Sequence, residues 1–305
     1  MTVTTVTEQQ QWIDLDQIDA DQGTTTFEKY QMPKKFVPYI QDQRERARLE
    51  YDETSGYWLL VFRGIASAEA ARFRTAPIAF IFNETNLMTI NLAKEAFLIT
   101  EISEIISLVK VKTLKSNFAI ITECLLRMTN HYFDVIDNIN ELRGDLENLA
   151  GRPTNDAINQ LTGLSKSLVY ITTACNNNVI ALEQLRLASN SKNDNLHLKA
   201  HEHERLGDAI VESKQALEMA QIATNVVDRV VNSYNNLLNN RLNDTMQFLT
   251  VWSIILMIPP IISGFYGMNV RLPFADRPWA WLWTIIWTLV LVAFLIIRFY
   301  RNRKP

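Results

Sequence analysis

Three patterns of apolar and polar positions succeed one another along the chain. Over residues 12–95 short apolar runs alternate with turn-forming residues. Trp12-Ile13-Asp14-Leu15 comes first, then a stretch punctuated by Pro33 and Pro38, then an apolar run over 57–62 behind Ser55-Gly56. Runs at 78–82 and 87–90 flank Asn83-Glu84-Thr85-Asn86 and predict a β-hairpin. This mixture of strand and helix signals predicts an α/β domain. From about Glu101 apolar residues recur three and four apart for roughly 140 residues, the period of helices with one buried face. Gly151-Arg152-Pro153 is the one interruption, and predicts a helical hairpin with arms over 131–149 and 155–189. A polar gap at 190–195 precedes one more helix from about Leu196. No breaker separates it from the apolar run that follows, so a single rod of roughly seventy residues is expected, about 100 Å at 1.5 Å per residue.

The third pattern is the absence of charge. No charged residue lies between Asp244 and Arg271, and none between Arg277 and Arg298. Each run is long enough to cross about 30 Å of hydrocarbon as a helix. The second is apolar all round and carries Trp279, Trp281, Trp283 and Trp287 from one end inward, as an interfacial anchor would. The first differs in kind. Asn243, Met246, Thr250, Ser253, Met257, Pro260 and Gly264 fall three or four apart and share one helix face. A helix facing its own copies around an axis would set these side chains around water; tight packing through small residues is the alternative. Pro259 and Pro260 deprive the carbonyls of Ile255 and Leu256 of their helical donors. At membrane depth such carbonyls are tolerated only against protein or a wet cavity.

Composition narrows the function by exclusion. A net charge of -3, with no basic cluster interleaved with aromatics outside the C-terminal tail, argues against nucleic acid as a partner. Cys124 and Cys175 stand alone, which indicates neither a disulfide framework nor a thiolate zinc site and fits a reducing compartment. The opening residues 1–11 are polar and lack the pattern of a signal peptide, so the large N-terminal portion is expected in the cytoplasm. With nine glycines in the chain, no phosphate-cradling loop is recognisable, and Arg44, Glu45, Arg46 and Arg48 read as a solvated face. His197 and His201 are four apart but His203 lies on another face, and Glu202 does not complete a two-His zinc-protease motif. No Ser/His/Asp set or carboxylate pair suggests an enzyme. Arg229, Arg241, Arg298, Arg301, Arg303 and Lys304 flank the spans on one side, against Arg271 and Arg277 on the other, which places both termini inside.

The first span closes on Tyr266-Gly267-Met268-Asn269, is followed by a short loop and a Trp-rich second span, and is preceded by a long helical region. This arrangement resembles the CorA family of magnesium transporters, whose signature is Gly-Met-Asn at the outer end of the first of two C-terminal membrane helices. The resemblance implies an α+β cytoplasmic domain followed by long helices and two transmembrane helices, in a funnel-shaped symmetric oligomer. Its segments here would be 1–95 for the α/β domain, 96–244 for the helical region with hairpin and stalk, and 245–268 for the pore-lining helix. An external loop at 269–278, a second span at 279–298 and a basic tail at 299–305 would follow.

Under that resemblance the protein is a homopentamer in the plasma membrane that passes Mg²⁺ inward, and it has no organic cofactor. Gly267, Met268 and Asn269 would form the selectivity filter, with Asn269 binding hydrated Mg²⁺ through its water shell. Asn243 and Gly264 would line the path, and Met246, Leu249 and Met257 would be its apolar constrictions. Asp208 matches a position at which family members bind regulatory Mg²⁺; its partner carboxylate is open, with Glu69 one candidate. Two departures stand out. The outer loop, from Val270 to Pro278, holds Asp276 as its one acid, and Pro260 stands where relatives commonly have a small hydroxyl residue. The alternatives are transport of Co²⁺, Ni²⁺ or Zn²⁺ on the same architecture, and a membrane-anchored helical scaffold or signalling protein.

Overall fold

The computed structural model describes residues 2–7, 10–15, 27–69, 72–91, 96–110, 114–149, 154–190, 196–268 and 278–302. They form two compact units, 1–232 and 233–305.

The first unit is built on a six-stranded sheet. Its strands are β1 (Thr2–Thr7), β2 (Gln10–Leu15), β3 (Arg48–Asp52), β4 (Tyr57–Glu69), β5 (Arg72–Phe82) and β6 (Asn86–Asn91). They lie in the order β1-β2-β6-β5-β4-β3, antiparallel throughout except for the parallel pair β2–β6. The predicted hairpin is β5–β6. Its turn is held by Asn83 Oδ1, which accepts the N–H groups of Thr85 and Asn86 in the manner of an Asx turn.

Alternation along the strands separates two cores. Ile13, Leu59, Val61, Ile81, Met88 and Ile90 face one side, covered by Phe27, Met32 and Phe36 and by Ile40 of the short helix α1 (Val37–Gln41). Trp12, Trp58, Leu60, Phe62, Phe80 and Leu87 face the other, where the long helices pack. These are α2 (Ala96–Lys110), α3 (Asn117–Leu149), α4 (Asn155–Asn190) and α5 (Ala200–Tyr266). A further core joins the helices beyond the sheet: Tyr132, Ile136 and Ile139 of α3, Leu164, Leu168 and Ile171 of α4, and Ala216, Ala220, Ala223 and Val227 of α5. The alanines on α5 let three backbones approach closely around one seam.

The helical region departs from the expected single interruption. α2 ends at Lys110, and Ser116 caps a new helix by accepting the Ala119 N–H, so the arm that holds residues 131–149 starts at Asn117, behind a break that the expected pattern ran across. The second arm agrees with its expected limits within a residue. The rod is observed as α5, one helix of 67 residues. Its first turn is capped by Glu202, whose carboxylate accepts the Lys199 N–H at 2.8 Å and a hydrogen bond from Ser116 Oγ. Two helix N-termini therefore meet at one buried carboxylate, a placement favoured by the positive ends of both helix dipoles.

The second unit comprises the C-terminal part of α5 and α6 (Ala280–Asn302). These are the two helices long and apolar enough to cross a membrane among the described residues, and their apolar segments are almost wholly exposed in the single chain. The fold is an α/β domain, long helices and two C-terminal apolar helices, as the sequence predicts.

Candidate functional site

Only one stripe of each C-terminal helix is shielded. On α5 it is Val251, Ile255, Ile258 and Ile262, with Ile255 at 8% exposure; on α6 it is Thr284, Thr288, Val292, Leu295 and Phe299. The two helices belong to one unit, and we read these stripes as the faces they turn toward each other. At 3.6 residues per turn, the stripe of Asn243, Met246, Thr250, Ser253, Met257, Pro260 and Gly264 is centred roughly 140° around α5 from that seam. The stripe is exposed throughout, with Met246 at 59%, Leu249 at 65% and Met257 at 58%. The polar and small face of α5 is thus turned away from the helix that would share the membrane with it in the same chain.

The hydroxyls on this face spend their protons within the helix. Thr250 Oγ1 donates to the Met246 carbonyl and Ser253 Oγ to the Leu249 carbonyl, each at 2.8 Å; Ser263, about 100° around the helix from the stripe, donates in the same way to the Pro260 carbonyl at 3.3 Å. Their oxygens are left as acceptors toward the exposed side. Sequence placed these residues on one face but not the direction of their protons, which depends on the carbonyl one turn back.

At its C-terminal end α5 closes with the Gly267 N–H on the Ser263 carbonyl at 2.9 Å, then the Met268 N–H on the Phe265 carbonyl at 3.4 Å. A Cβ on Gly267 would stand 3.2 Å from the Ser263 carbonyl oxygen, so the tight closing turn favours a residue without one. Met268 is half exposed beside it. Asn269 and residues 270–277, Asp276 included, lie outside the described residues.

In the first unit, the acids of the helices divide into two groups. Arg127 gathers Glu101 at 2.7 Å, Glu104 at 2.8 Å and Glu123 at 3.0 Å, and Arg205 adds a contact to Glu123 at 3.3 Å. These carboxylates hold the Arg127 guanidinium above its ordinary range, Glu101 most strongly. Glu183 sits between Lys214 and Arg186, and its carboxyl is held below the usual range chiefly by its hydrogen bond to Lys214. Asp208, Glu204 and Glu218 differ: they lie on one exposed face of α5, and among the described residues none of them forms a salt bridge. The side chain of Glu69 is outside the described ones.

His197 and His201 are exposed and His203 partly so. Among the described residues no three His, Cys, Asp or Glu side chains gather into a metal-binding group. Sequence reasoning weighed Glu202 only as a possible zinc-protease residue; its buried capping role was signalled by an acid three residues into a helix behind a polar gap.

The family model described as CorA-like Mg²⁺ transporter protein matches residues 7–301. The cobalt/magnesium transport protein CorA of Methanocaldococcus jannaschii is 24% identical over 272 residues, which cover 86% of this chain and 80% of that protein. The complete structure of the CorA magnesium transporter from the same organism superposes with a TM-score of 0.80 at 21% identity, over 97% of this chain and 91% of that one. The full-length CmaX protein matches with a TM-score of 0.72 at 15% identity, over 95% and 88% of the two chains.

Proposed function

The chain belongs to the CorA-like Mg²⁺ transporter family, and from that premise we propose that it is a membrane channel for divalent cations, with Mg²⁺ as its main substrate and α5 lining the path. The observation that carries this reading is the orientation of α5: its acceptor-bearing stripe faces away from α6. Two spans cannot enclose a pore, whereas identical copies arranged around an axis can, and closed cyclic symmetry is the usual outcome for identical subunits. Five copies is the number the family suggests. Each would contribute one α5 to the wall and one α6 to the lipid side, where Trp281, Trp283 and Trp287 are exposed.

Mg²⁺ is small and sheds its waters reluctantly, so a first filter that binds the hydrated ion suits it. Asn269 supplies a neutral side-chain acceptor for that shell at the outer mouth. Met268 and Gly267 fix the turn that presents it. Inward of this ring, Gly264 and Asn243 line the path, and Met246, Leu249 and Met257 narrow it with apolar side chains that gate by dewetting. The driving force is the membrane potential: a divalent ion gains about 4.6 kcal/mol over 100 mV, at roughly 2.3 kcal/mol per charge. Transport needs no chemistry from the protein, and an enzymatic role is set aside.

So strong a force calls for a brake. Asp208 stands on the exposed face of the same unbroken helix that carries Met246 and Leu249. Brought near acids of a neighbouring copy, it would bind internal Mg²⁺ and hold the copies together; loss of the ion would leave like charges that push them apart. Both termini lie in the cytoplasm in this arrangement, which is that of a plasma-membrane protein.

Co²⁺ is the second substrate this reading admits. The exposed thioethers of Met246 and Met257 are softer ligands than the oxygens around them, and they favour a transition metal more than Mg²⁺. The test is ion entry into liposomes containing the purified oligomer, with an inside-negative potential and a Mg²⁺-sensitive dye within, run in parallel with Co²⁺, Ni²⁺ and Zn²⁺. Mg²⁺ entry is expected. Zn²⁺ entry without Mg²⁺ would overturn the substrate, and no cation flux through a folded oligomer would favour a membrane-anchored scaffold.

A further inference from the structure

The two prolines of α5 leave two carbonyls without their helical donors, and these open in different directions. Pro260 has no N–H for the carbonyl of Leu256, and Pro259 none for that of Ile255. Around the helix, Pro260 belongs to the stripe of Met257 and Gly264, whereas Pro259 lies roughly 100° away toward the seam with α6, where Ile255 is buried. The Leu256 oxygen therefore opens beneath Pro260 at the edge of the exposed stripe. An open carbonyl is not accommodated against lipid and requires protein or water beside it.

The hydroxyls of α5 nearby do not supply the missing donor. Those of Thr250, Ser253 and Ser263 are committed to the carbonyls of Met246, Leu249 and Pro260. In a symmetric assembly the same commitments hold in each copy. What remains as a donor is water, and the waters around a divalent cation are strong ones. The oxygens of Thr250, Ser253 and Leu256 then form successive acceptor positions three residues apart along the helix, each turned about 60° from the last, with the Leu256 oxygen on the Pro260 edge of the stripe.

We propose that Pro260 makes the Leu256 main-chain carbonyl an ion-binding oxygen of the path, a ring of acceptors for the water shell of a divalent cation between Ser253 and Gly264. The proposal rests on α5 lining the pore. It gives Pro260 a role of its own: the residue brings no polar side chain to this level of the path, and exposes a backbone oxygen instead.

The test compares Pro260→Ala, which returns an N–H to the Leu256 carbonyl, with Pro259→Ala, which does the same for Ile255 on the seam side. Both replacements favour the helix, and assembly of each variant is checked by size-exclusion chromatography. Mg²⁺ entry into liposomes is measured against external concentration for the full chain. Pro260→Ala is expected to raise the half-saturating Mg²⁺ concentration about tenfold, the scale of a lost hydrogen bond to a charged group. Pro259→Ala should stay near wild type, and Pro260→Thr should recover most of the loss through a side-chain oxygen at the same level. An unchanged concentration dependence in Pro260→Ala, with wild type conducting, overturns the carbonyl ring and leaves the channel reading intact. Equal losses in both alanine variants would assign the effect to helix straightening and overturn the ring. Wild-type protein silent to every divalent cation overturns both.

Discussion

Asn178 on α4 holds both backbone groups of Arg63 on β4: its Oδ1 accepts the Arg63 N–H at 2.9 Å and its Nδ2 donates to the Arg63 carbonyl at 2.8 Å. Tyr132 Oη donates to the same carbonyl at 2.7 Å. The reason lies in the sheet. β3 begins with Arg48 opposite Val61, so at Arg63 the longer β4 has run past its neighbour, and on the other side it is paired with Pro77. Side chains from two helices take the place of the absent strand and fix the helical region to the sheet.

Replacing Asn178 by Leu should strand a buried N–H and cost about 1–3 kcal/mol of stability. Asn178→Asp keeps the acceptor but sets a buried carboxylate against the Arg63 carbonyl, so its cost should be larger. Thermal or urea unfolding of the two variants checks the ordering, and an unchanged midpoint for Asn178→Leu would show that the clamp contributes nothing.

Leu249 is proposed as part of the apolar constriction. Leu249→Asn would wet that level of the path and should raise Mg²⁺ entry when internal Mg²⁺ is high, the condition under which the proposed brake closes the wild type. Patch-clamp recording of resting current gives the comparison. A variant as tightly closed as wild type would remove Leu249 from the gate.

Asp208→Ala should leave conduction intact and weaken inhibition by internal Mg²⁺, because the charge proposed to hold the ion is gone. The dose-response to internal Mg²⁺ in inside-out patches reads this directly. Unchanged inhibition would make Asp208 an ordinary solvated acid.

The two cysteines give a pH prediction. Cys124 and Cys175 are 3% and 2% exposed, and burial pushes both thiols up, that of Cys175 from 9.0 to about 12. The folded chain thus keeps a proton that the unfolded chain gives up. This contribution to stability is complete below pH 9.0 and is lost as pH rises toward about 12. Maleimide should label neither thiol at neutral pH until the protein unfolds, and Cys175→Val should reduce the alkaline fall in unfolding midpoint. Rapid labelling of the folded protein would contradict the burial.

The parts of the fold legible in the sequence are those whose cause is local. Two charge-free runs and the absence of a breaker between Leu196 and Asp244 are enough for α5 and α6, and Asn83 with its flanking apolar runs is enough for the β5–β6 turn. The parallel pairing of β2 with β6 joins residues more than seventy positions apart, and nothing local encodes it. β4 and β5 extend well beyond their apolar runs because Arg63, Gly64 and Pro77 are satisfied by tertiary contacts and pairing, not by propensity. The start of α3 depended on Ser116 acting as a cap at a break that periodicity ran across. At the site, spacing revealed the stripe on α5, but only packing against α6 shows which way it turns.

The central claim is that copies of α5 enclose a cation path whose mouth is a ring of Asn269. The most direct measurement is Mg²⁺ entry into liposomes under an imposed inside-negative potential, for wild type and Asn269→Ala side by side at equal amounts of assembled protein. The account predicts rapid entry with wild type and loss of most of it with Asn269→Ala. Entry at the wild-type rate through the alanine variant would contradict it.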